Sequence, residues 1–376
     1  MADGLTAGLG FVLAANAALL LAVCLLWISN RFLALAGLAR DWTLRRRLTG
    51  AAWLLGLLLP TAFVLLADDL PPPVLNATDM LVAQYLRGNL AISATDLSHL
   101  IELRDRVIHG FTHPGSVVWR SVLAVVLVAG AVRASLVLHA ALRLRHVLAD
   151  ARPLRRSRCV TVYLSTDCDV PFAARGLRRH HVVMPAYLAA DRRAFRIALV
   201  HEMQHIRQGD PLLEMAVALL SPVFALNPAF WSLARQTRRL RENDCDAACV
   251  ARPGCDVRSY SLTLLAVARR ASDGKAGSAS LPGLFSVPFV GRRQMGRRAT
   301  RSQLGSRIEL LARRPARPAG RAVSGLVIAA FCTALAGSVW LLRDPSDWSH
   351  ERLQLSSVLN LERLASINTL GQRPLR

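Results

Sequence analysis

Four long apolar runs dominate the pattern of hydrophobic and polar positions along this chain. Each is close to, or above, the roughly 20 helical residues that cross a bilayer core of about 30 Å. The pattern therefore predicts four transmembrane helices, at Leu5–Ser29, Ala51–Ala67, Ser116–Leu142 and Ala322–Leu342. The first run carries no charge and no small-residue cleavage site before a polar chain, which favours a true span over a signal peptide.

The distribution of charge predicts which segments face the cytosol. The net charge is +22, carried almost wholly by arginine. Residues 30–50 hold five arginines against one aspartate, and residues 143–321 hold 32 Arg and Lys against 13 Asp and Glu. Residues 68–115 and the tail after Leu342 are nearly balanced. Because basic loops stay inside, both basic segments are predicted to be cytosolic and both termini to lie outside.

The same basic charge does not indicate a nucleic-acid partner. Few aromatic side chains interleave with the arginines to stack bases, and no helix-turn-helix or zinc-finger spacing occurs. We interpret the charge as topology signals and contact with anionic membrane lipid, without direct binding of nucleic acid. The seven cysteines, an odd number, do not suggest a disulfide framework.

One further apolar segment, Leu212–Ala234, is long enough to suggest a fifth span. Glu214, Pro222 and Asn227-Pro228 interrupt it. A single crossing here would also contradict the charge distribution. We therefore expect a buried helix of a cytosolic domain; a position in the membrane interface stays open.

The sequence VHEMQHIRQGD, residues 200–210, carries the candidate chemistry. Asp191 can cap a helix that Gly209 ends, and His201 and His205, four residues apart, then share one face and can hold a Zn²⁺. Glu202 is placed to act as the catalytic base. A bland surface helix is the alternative for this motif taken alone.

A third ligand is predicted downstream, in a segment that reads as helical. Glu242 and Asp246 are four residues apart and share a face. Glu242 can complete a site of two histidines and one glutamate with one zinc ion per chain, and Asp246 can accept the other ring N–H of a ligand histidine. The alternative is a solvated helix with Arg–Glu pairs.

Two short β-rich segments, Cys159–Leu164 and His181–Met184, are predicted strands. The second is a candidate edge strand for a peptide substrate, which would involve His181, Val182, Val183 and Met184. A purely structural strand is equally compatible with the pattern. The oxyanion-stabilising residue cannot be assigned from the sequence, and Tyr260 is only a guess.

Residues 271–300 are rich in Gly, Ser and Pro and are predicted to be a flexible linker open to proteolysis. An apolar island within it would suit an extended peptide in a hydrophobic cleft. We therefore predict self-cleavage within Leu281–Val290, around Leu284, Phe285 and Ser286.

These features together resemble the BlaR/MecR-type antirepressor membrane metallopeptidases, which are gluzincin-like enzymes of bacterial membranes. The likeness rests on the four spans, residues 200–210, Asn227-Pro228 before Phe230-Trp231, and Glu242-x-x-Cys245-Asp246. The segments Pro171–Pro185 and Ser306–Leu311 are also similar to that family. The resemblance implies His201, His205 and Glu242 as zinc ligands, Glu202 as base and Asp246 behind the ligands.

The resemblance also implies a role in signalling. Typical members cleave themselves before the last span and then a paired cytosolic transcriptional repressor. The beta-lactam receptors carry a penicillin-binding domain after the last span, whereas only 34 residues follow Leu342 here and they contain no lysine. We therefore expect sensing by residues 68–115, by the short tail or by a partner sensor protein.

The predicted fold is a mainly α membrane protein with four transmembrane helices and a cytosolic α+β zincin-like metallopeptidase domain between the third and fourth. Its parts are a membrane domain (1–150) with an extracytoplasmic loop (68–115), the peptidase domain (151–321), the last span (322–342) and an extracytoplasmic tail (343–376). The predicted function is a zinc endopeptidase of the bacterial inner membrane. The alternative is a non-proteolytic transducer or scaffold that keeps a structural zinc site.

Overall fold

The computed structural model describes residues 2–66, 77–112, 117–176, 178–273, 286–288, 305, 307–311, 320–341, 354–361 and 364. Over these residues the chain is mostly helical and contains one small sheet. The helices are α1 (Ala2–Leu35), α2 (Trp42–Leu65), α3 (Ala77–Leu86), α4 (Ala94–Ile101), α5 (Leu103–Thr112), α6 (Val117–Asp150), α7 (Arg192–Arg207), α8 (Asp210–Leu220), α9 (Pro228–Val250), α10 (Val257–Asp273) and α11 (Arg321–Leu341). Residues 307–311 and 354–361 are also helical.

Three helical segments within the described residues are long and apolar enough to cross a membrane. They are Gly10–Leu35, Val117–Asp150 and Arg321–Leu341, and they coincide with the first, third and fourth predicted spans. The second predicted span falls in α2, which is not among the three. These helices indicate a membrane protein, and the count of four spans stays a prediction.

The chain divides into two compact units. The first comprises Met1–Ile28, Ala51–Ala124 and Gly325–Arg376. Within it, α3 and α4 of the predicted extracytoplasmic loop share a small core with the tail: Val82, Ala94 and Leu97 pack with Leu355. The described parts of the loop and of the tail, both considered for sensing, therefore pack together.

The second unit comprises Ser29–Gly50 and Val125–Ser324. It contains the whole of the predicted peptidase domain, together with the end of α1, the start of α2 and most of α6. Its strands are β1 (Arg152–Arg156), β2 (Val160–Ser165), β3 (Phe172–Arg175), β4 (His180–Pro185) and β5 (Ser286–Pro288). The two predicted strands, Cys159–Leu164 and His181–Met184, are confirmed as β2 and β4.

The sheet has the strand order β1-β2-β4-β3-β5. β2 and β4 run parallel, and every other neighbouring pair is antiparallel. One face packs in the main core with α7, α9 and α10, through Val182 and Met184 against Ala198 and Leu264. On the other face, Val183 packs with Val147 of α6. The sheet is thus held between the end of α6 and the helices that carry the site.

The predicted interruption of the apolar segment Leu212–Ala234 is confirmed, but the expectation of one buried helix is wrong: the segment forms parts of two helices, α8 and α9, and exposes Leu212, Leu219, Val223 and Leu226. Asn227 ends the intervening turn, because its side chain accepts the backbone N–H groups of Ala229 and Phe230 and caps α9, with Pro228 in the first turn. This cap fixes the start of the helix that carries Glu242.

The turn before α9 and the start of α9 contact α6 at Arg133, the charge in the middle of the third predicted span. Arg133 donates from Nε to Ser221 Oγ at 3.1 Å, and its guanidinium lies 4.5 Å from the centre of the Trp231 ring. Arg133 therefore faces a neighbouring helix, which is how an intramembrane charge is tolerated.

Candidate metal centre

Helix α7 presents the two histidines of the motif on one fully buried face. Asp191 caps its start by accepting the backbone N–H groups of Arg193 and Ala194, and Gly209, at φ 75°, follows its last turn. His201 Nε2 and His205 Nε2 lie 3.0 Å apart, and neither ring is exposed to solvent. The predicted helix Asp191–Gln208 and its cap are confirmed.

The second ring nitrogen of each histidine, Nδ1, contacts a buried oxygen. His205 Nδ1 lies 2.8 Å from Asp210 Oδ2, and His201 Nδ1 lies 2.7 Å from the Tyr260 hydroxyl. Tyr260 in turn donates to Asp246 Oδ1 at 2.7 Å. These partners place a proton on both Nδ1 atoms and direct both Nε2 lone pairs at each other.

Two lone pairs at 3.0 Å repel, and a shared cation would remove the repulsion. Burial, reinforced by the charges of His205 and Arg307, holds the pKa of His201 well below its usual value, so this ring stays neutral as a metal ligand must. The donor set therefore fits a metal ion such as Zn²⁺.

Glu242 supplies a carboxylate that approaches the Nε2 atoms of both histidines. Its Oε2 lies 3.9 Å from His201 Nε2, and its Oε1 lies 3.7 Å from His205 Nε2. Burial raises the pKa of Glu242, although the charge of Arg307, 2.9 Å from Oε2, opposes the rise. The structure thus brings the three predicted ligands together.

Cys245 also lies close enough to share a metal with the two histidines, since one donor atom from each of the three lies within 4.8 Å of the others. Its Sγ is nearer to Nδ1 of His201, at 3.5 Å, than to Nε2, at 3.9 Å. Burial raises the pKa of the thiol well above its usual value. Cys245 and Glu242 are therefore both candidates for the third donor, Cys245 from the Nδ1 side of His201 and Glu242 from the Nε2 side of both rings.

Glu202 is a fully buried carboxylate beside this cluster; the backbone N–H of Ala173 approaches it, but no contact to either of its oxygens meets strict hydrogen-bond geometry. Burial, followed by the charge of Glu242, raises its pKa well above the usual value, while the backbone N–H of Ala173 and the charge of Arg307 oppose the rise. An unsatisfied buried carboxylate is costly and marks a functional site. Its position suits the predicted base.

Asp246 holds His201 through an intermediary rather than directly. Its Oδ1 is 3.5 Å from His201 Nδ1, beyond ordinary hydrogen-bond length, whereas the Tyr260 hydroxyl bridges the two. The guess that Tyr260 stabilises an oxyanion does not fit, because its hydroxyl is buried behind His201. The sequence does not reveal that Tyr260 bridges Asp246 and His201, because Tyr260 and His201 are 59 residues apart and no local pattern links them.

Arg307 is a second residue whose role the sequence did not reveal. It lies in the helical segment 307–311, inside the Ser306–Leu311 stretch that resembles the family. Its buried guanidinium donates to both oxygens of Asp246 at 2.7 Å and contacts Glu242 at 2.9 Å. Arg307 therefore orients the carboxylates around the histidines.

The structure corrects the predicted substrate strand. His181, Val182, Val183 and Met184 lie in β4, whose two edges already pair with β2 and β3. No backbone edge of β4 is left for a peptide. The strand adjoining Glu202 is instead β3, through Ala173.

β5 occupies the outer edge of β3. Ala173 pairs with Val287 and Ala174 with Ser286, in antiparallel register. Ser286, the last of the three residues named for self-cleavage, thus begins β5, and Leu284 and Phe285 lie outside the described residues. A segment of the predicted linker therefore pairs with the strand next to the candidate base.

Comparison with known protein families gives an independent result. The family model described as BlaR1 peptidase M56 matches residues 77–282, just over half of the chain. That stretch contains all the candidate metal-binding residues and the candidate base. No curated protein matches the chain. The chain belongs to the BlaR1 peptidase M56 family.

Proposed function

We propose that this protein is an integral-membrane, zinc-dependent endopeptidase that cuts peptide bonds in the cytosol during transmembrane signalling. The observation that carries the proposal is the buried carboxylate of Glu202 beside two histidine lone pairs and Glu242. Its substrate is a cytosolic transcriptional repressor, this chain itself, or both. The arginine distribution supports a cytosolic site with both termini outside the inner membrane.

His201, His205 and Glu242 would hold the zinc ion, one per chain. When bound, Zn²⁺ supplies Lewis acidity that makes water nucleophilic near neutral pH. Glu202 accepts a proton and returns it to the leaving amine, and its raised pKa suits that exchange. Asp210 and the Tyr260–Asp246 pair fix the tautomers of the two rings.

The outer edge of β3 is the proposed peptide-binding edge. Extended substrates gain affinity from main-chain hydrogen bonds to such an edge. The pairing of β5 with β3 supports self-cleavage near Ser286, because it brings that part of the linker beside the candidate base. Membrane lipid and a possible partner sensor are the other expected contacts.

The alternative is a non-proteolytic transducer or scaffold with a structural zinc site. A structural site needs ligands but no base, so it gives no reason to keep a fully buried Glu202 carboxylate whose oxygens make no hydrogen bond of strict geometry. This observation favours the enzyme.

The test compares new protein N-termini in cells that express the wild type or Glu202→Gln, with the zinc content of both purified proteins measured. Termini that occur only with the wild type, at equal zinc content, support proteolysis and identify the substrates. His205→Ala serves as the variant that should lose the metal. Equal termini in induced cells, with both proteins folded and loaded with zinc, would support the transducer.

A further inference from the structure

Arg46, in the first turns of α2, joins three acceptors next to the candidate metal centre. Its guanidinium donates to the backbone carbonyl of Gln208 at 2.6 Å, to Asp210 Oδ1 at 2.9 Å and to Asp244 Oδ2 at 2.9 Å. Gln208 is the C-cap residue of α7. Arg46 thus satisfies a carbonyl at the end of the helix that carries both histidines, where positive charge is also favoured.

The carboxylate of Asp210 links Arg46 to His205. One oxygen, Oδ2, lies 2.8 Å from His205 Nδ1, and the other, Oδ1, accepts from Arg46 at 2.9 Å. Asp210 is completely buried, so water cannot take the place of either partner. The orientation of the carboxylate, and with it the ring of His205, depends on both contacts.

A second residue of α2 strengthens the junction. Thr43, three residues before Arg46 and on the same face, donates to Asp244 Oδ1 at 3.1 Å. Gln208 also donates to Asp244, at 3.3 Å. The first turn of α2 is therefore tied to the end of α7 and, through Asp244, to the helix that carries Glu242.

We propose that Arg46 is a positioning residue that couples α2 to His205 through Asp210. The affinity of the site for metal then depends on the position of the first turns of α2 relative to Asp210. The proposal rests on the proposed function in one respect, namely that His205 binds the metal. Because α2 carries the second predicted span, the Arg46–Asp210–His205 chain connects a membrane helix directly to a ligand. Withdrawal of Arg46 frees Asp210 to turn away from the ring and weakens the site.

The test measures the Zn²⁺ affinity of the purified full-length protein in detergent, by competition with a chromophoric chelator. Arg46→Gln removes the charge and the fork of donors and should weaken Zn²⁺ binding roughly 10- to 100-fold, the usual effect of losing a partner behind a ligand. Arg47→Gln is the matched control, because Arg47 is the exposed neighbour on the same helix. It should leave the affinity unchanged.

Two further variants separate positioning from general damage. Arg46→Lys keeps the charge but reaches fewer acceptors, so its loss of affinity should be smaller than that of Arg46→Gln. In an Asp210→Asn background, Arg46→Gln should add little further loss, because its route to His205 is already interrupted. Thermal unfolding without zinc identifies any variant that fails to fold, and Arg46→Lys then carries the comparison.

The outcomes are distinct. Wild-type affinity in Arg46→Gln, or a full additive loss in the Asp210→Asn background, overturns the role of Arg46. Wild-type affinity in His205→Ala overturns the metal site itself, and with it the proposed function. Loss in His205→Ala together with no effect of Arg46→Gln keeps the site and rejects the coupling.

Discussion

Replacing Tyr260 by phenylalanine removes one buried hydroxyl and leaves the ring in place. That oxygen lies 2.7 Å from His201 Nδ1 and 2.7 Å from Asp246 Oδ1. Without it, Asp246 Oδ1 and His201 Nδ1 remain 3.5 Å apart, and Asp246 is held where it is by Arg307. His201 Nδ1 then exchanges an oxygen partner at 2.7 Å for the weaker contact with the Cys245 sulfur at 3.5 Å.

The size of the effect follows from these two contacts. The hydrogen bond to the charged Asp246 contributes about 1.5–3 kcal/mol and the one to the neutral His201 about 0.5–1.5 kcal/mol. Losing a partner behind a metal-binding histidine weakens affinity roughly 10- to 100-fold. A tenfold weaker site lowers the zinc-dependent stabilisation by about 1.4 kcal/mol at saturating zinc. We therefore expect Tyr260→Phe to lower both the Zn²⁺ affinity and the stabilisation that zinc gives against unfolding.

The assay is chelator competition for Zn²⁺, together with thermal unfolding in the presence and absence of the metal. Tyr187→Phe is the matched control, since it removes a hydroxyl that donates to the Asp169 carbonyl at 3.0 Å, outside the histidine cluster. If Tyr260→Phe binds Zn²⁺ within threefold of the Tyr187→Phe protein, the hydroxyl does not orient His201 and the reasoning is refuted.

Three further predictions concern the framework of the second unit. Arg307→Ala leaves the carboxylates of Glu242 and Asp246 without their guanidinium. It should lower the free energy of unfolding by about 3–5 kcal/mol in a denaturant titration. A loss no larger than that caused by Arg196→Ala, at an exposed position, would contradict this prediction. Asn227→Ala removes the cap of α9 and should cost about 1 kcal/mol in the same titration, whereas Asn227→Asp should keep most of it. Burial raises the pKa of Cys168 to about 12. Iodoacetamide at pH 8 should therefore alkylate the exposed Cys159 and spare Cys168 in the folded protein, as measured by mass spectrometry. Equal modification of the two cysteines would show that Cys168 is accessible.

The parts of the site that local patterns specify could be predicted from the sequence. Asp191 and Gly209 delimit α7, and the spacing of four residues puts His201 and His205 on one face. The same spacing on α9 aligns Glu242 with Asp246. The distances between these groups confirm that the two helices face each other as the pattern predicted.

The parts of the site that depend on long-range contacts could not be predicted from the sequence. Arg46 reaches Asp210 across 164 positions, and Arg307 reaches Asp246 across 61. No periodicity links residues so far apart, because their meeting depends on how whole helices pack. The prediction that His181–Met184 is the substrate-binding edge strand is wrong because β3 is not recognisable in the sequence. β3, the short segment Phe172–Arg175, lacks the β-branched residues that identify β4 as a strand, yet β3 is the strand that pairs with β5.

The pairing of β5 with β3 also sets a competition. A strand that belongs to the same chain as the edge it covers acts at an effective concentration in the millimolar range when the connection is short. A separate protein substrate must displace it, and a dilute one cannot do so at equilibrium. If self-cleavage near Ser286 releases β5 from β3, cleavage of another protein should begin only after a lag. The length of that lag would then set how long a signal must last before the second protein is cut.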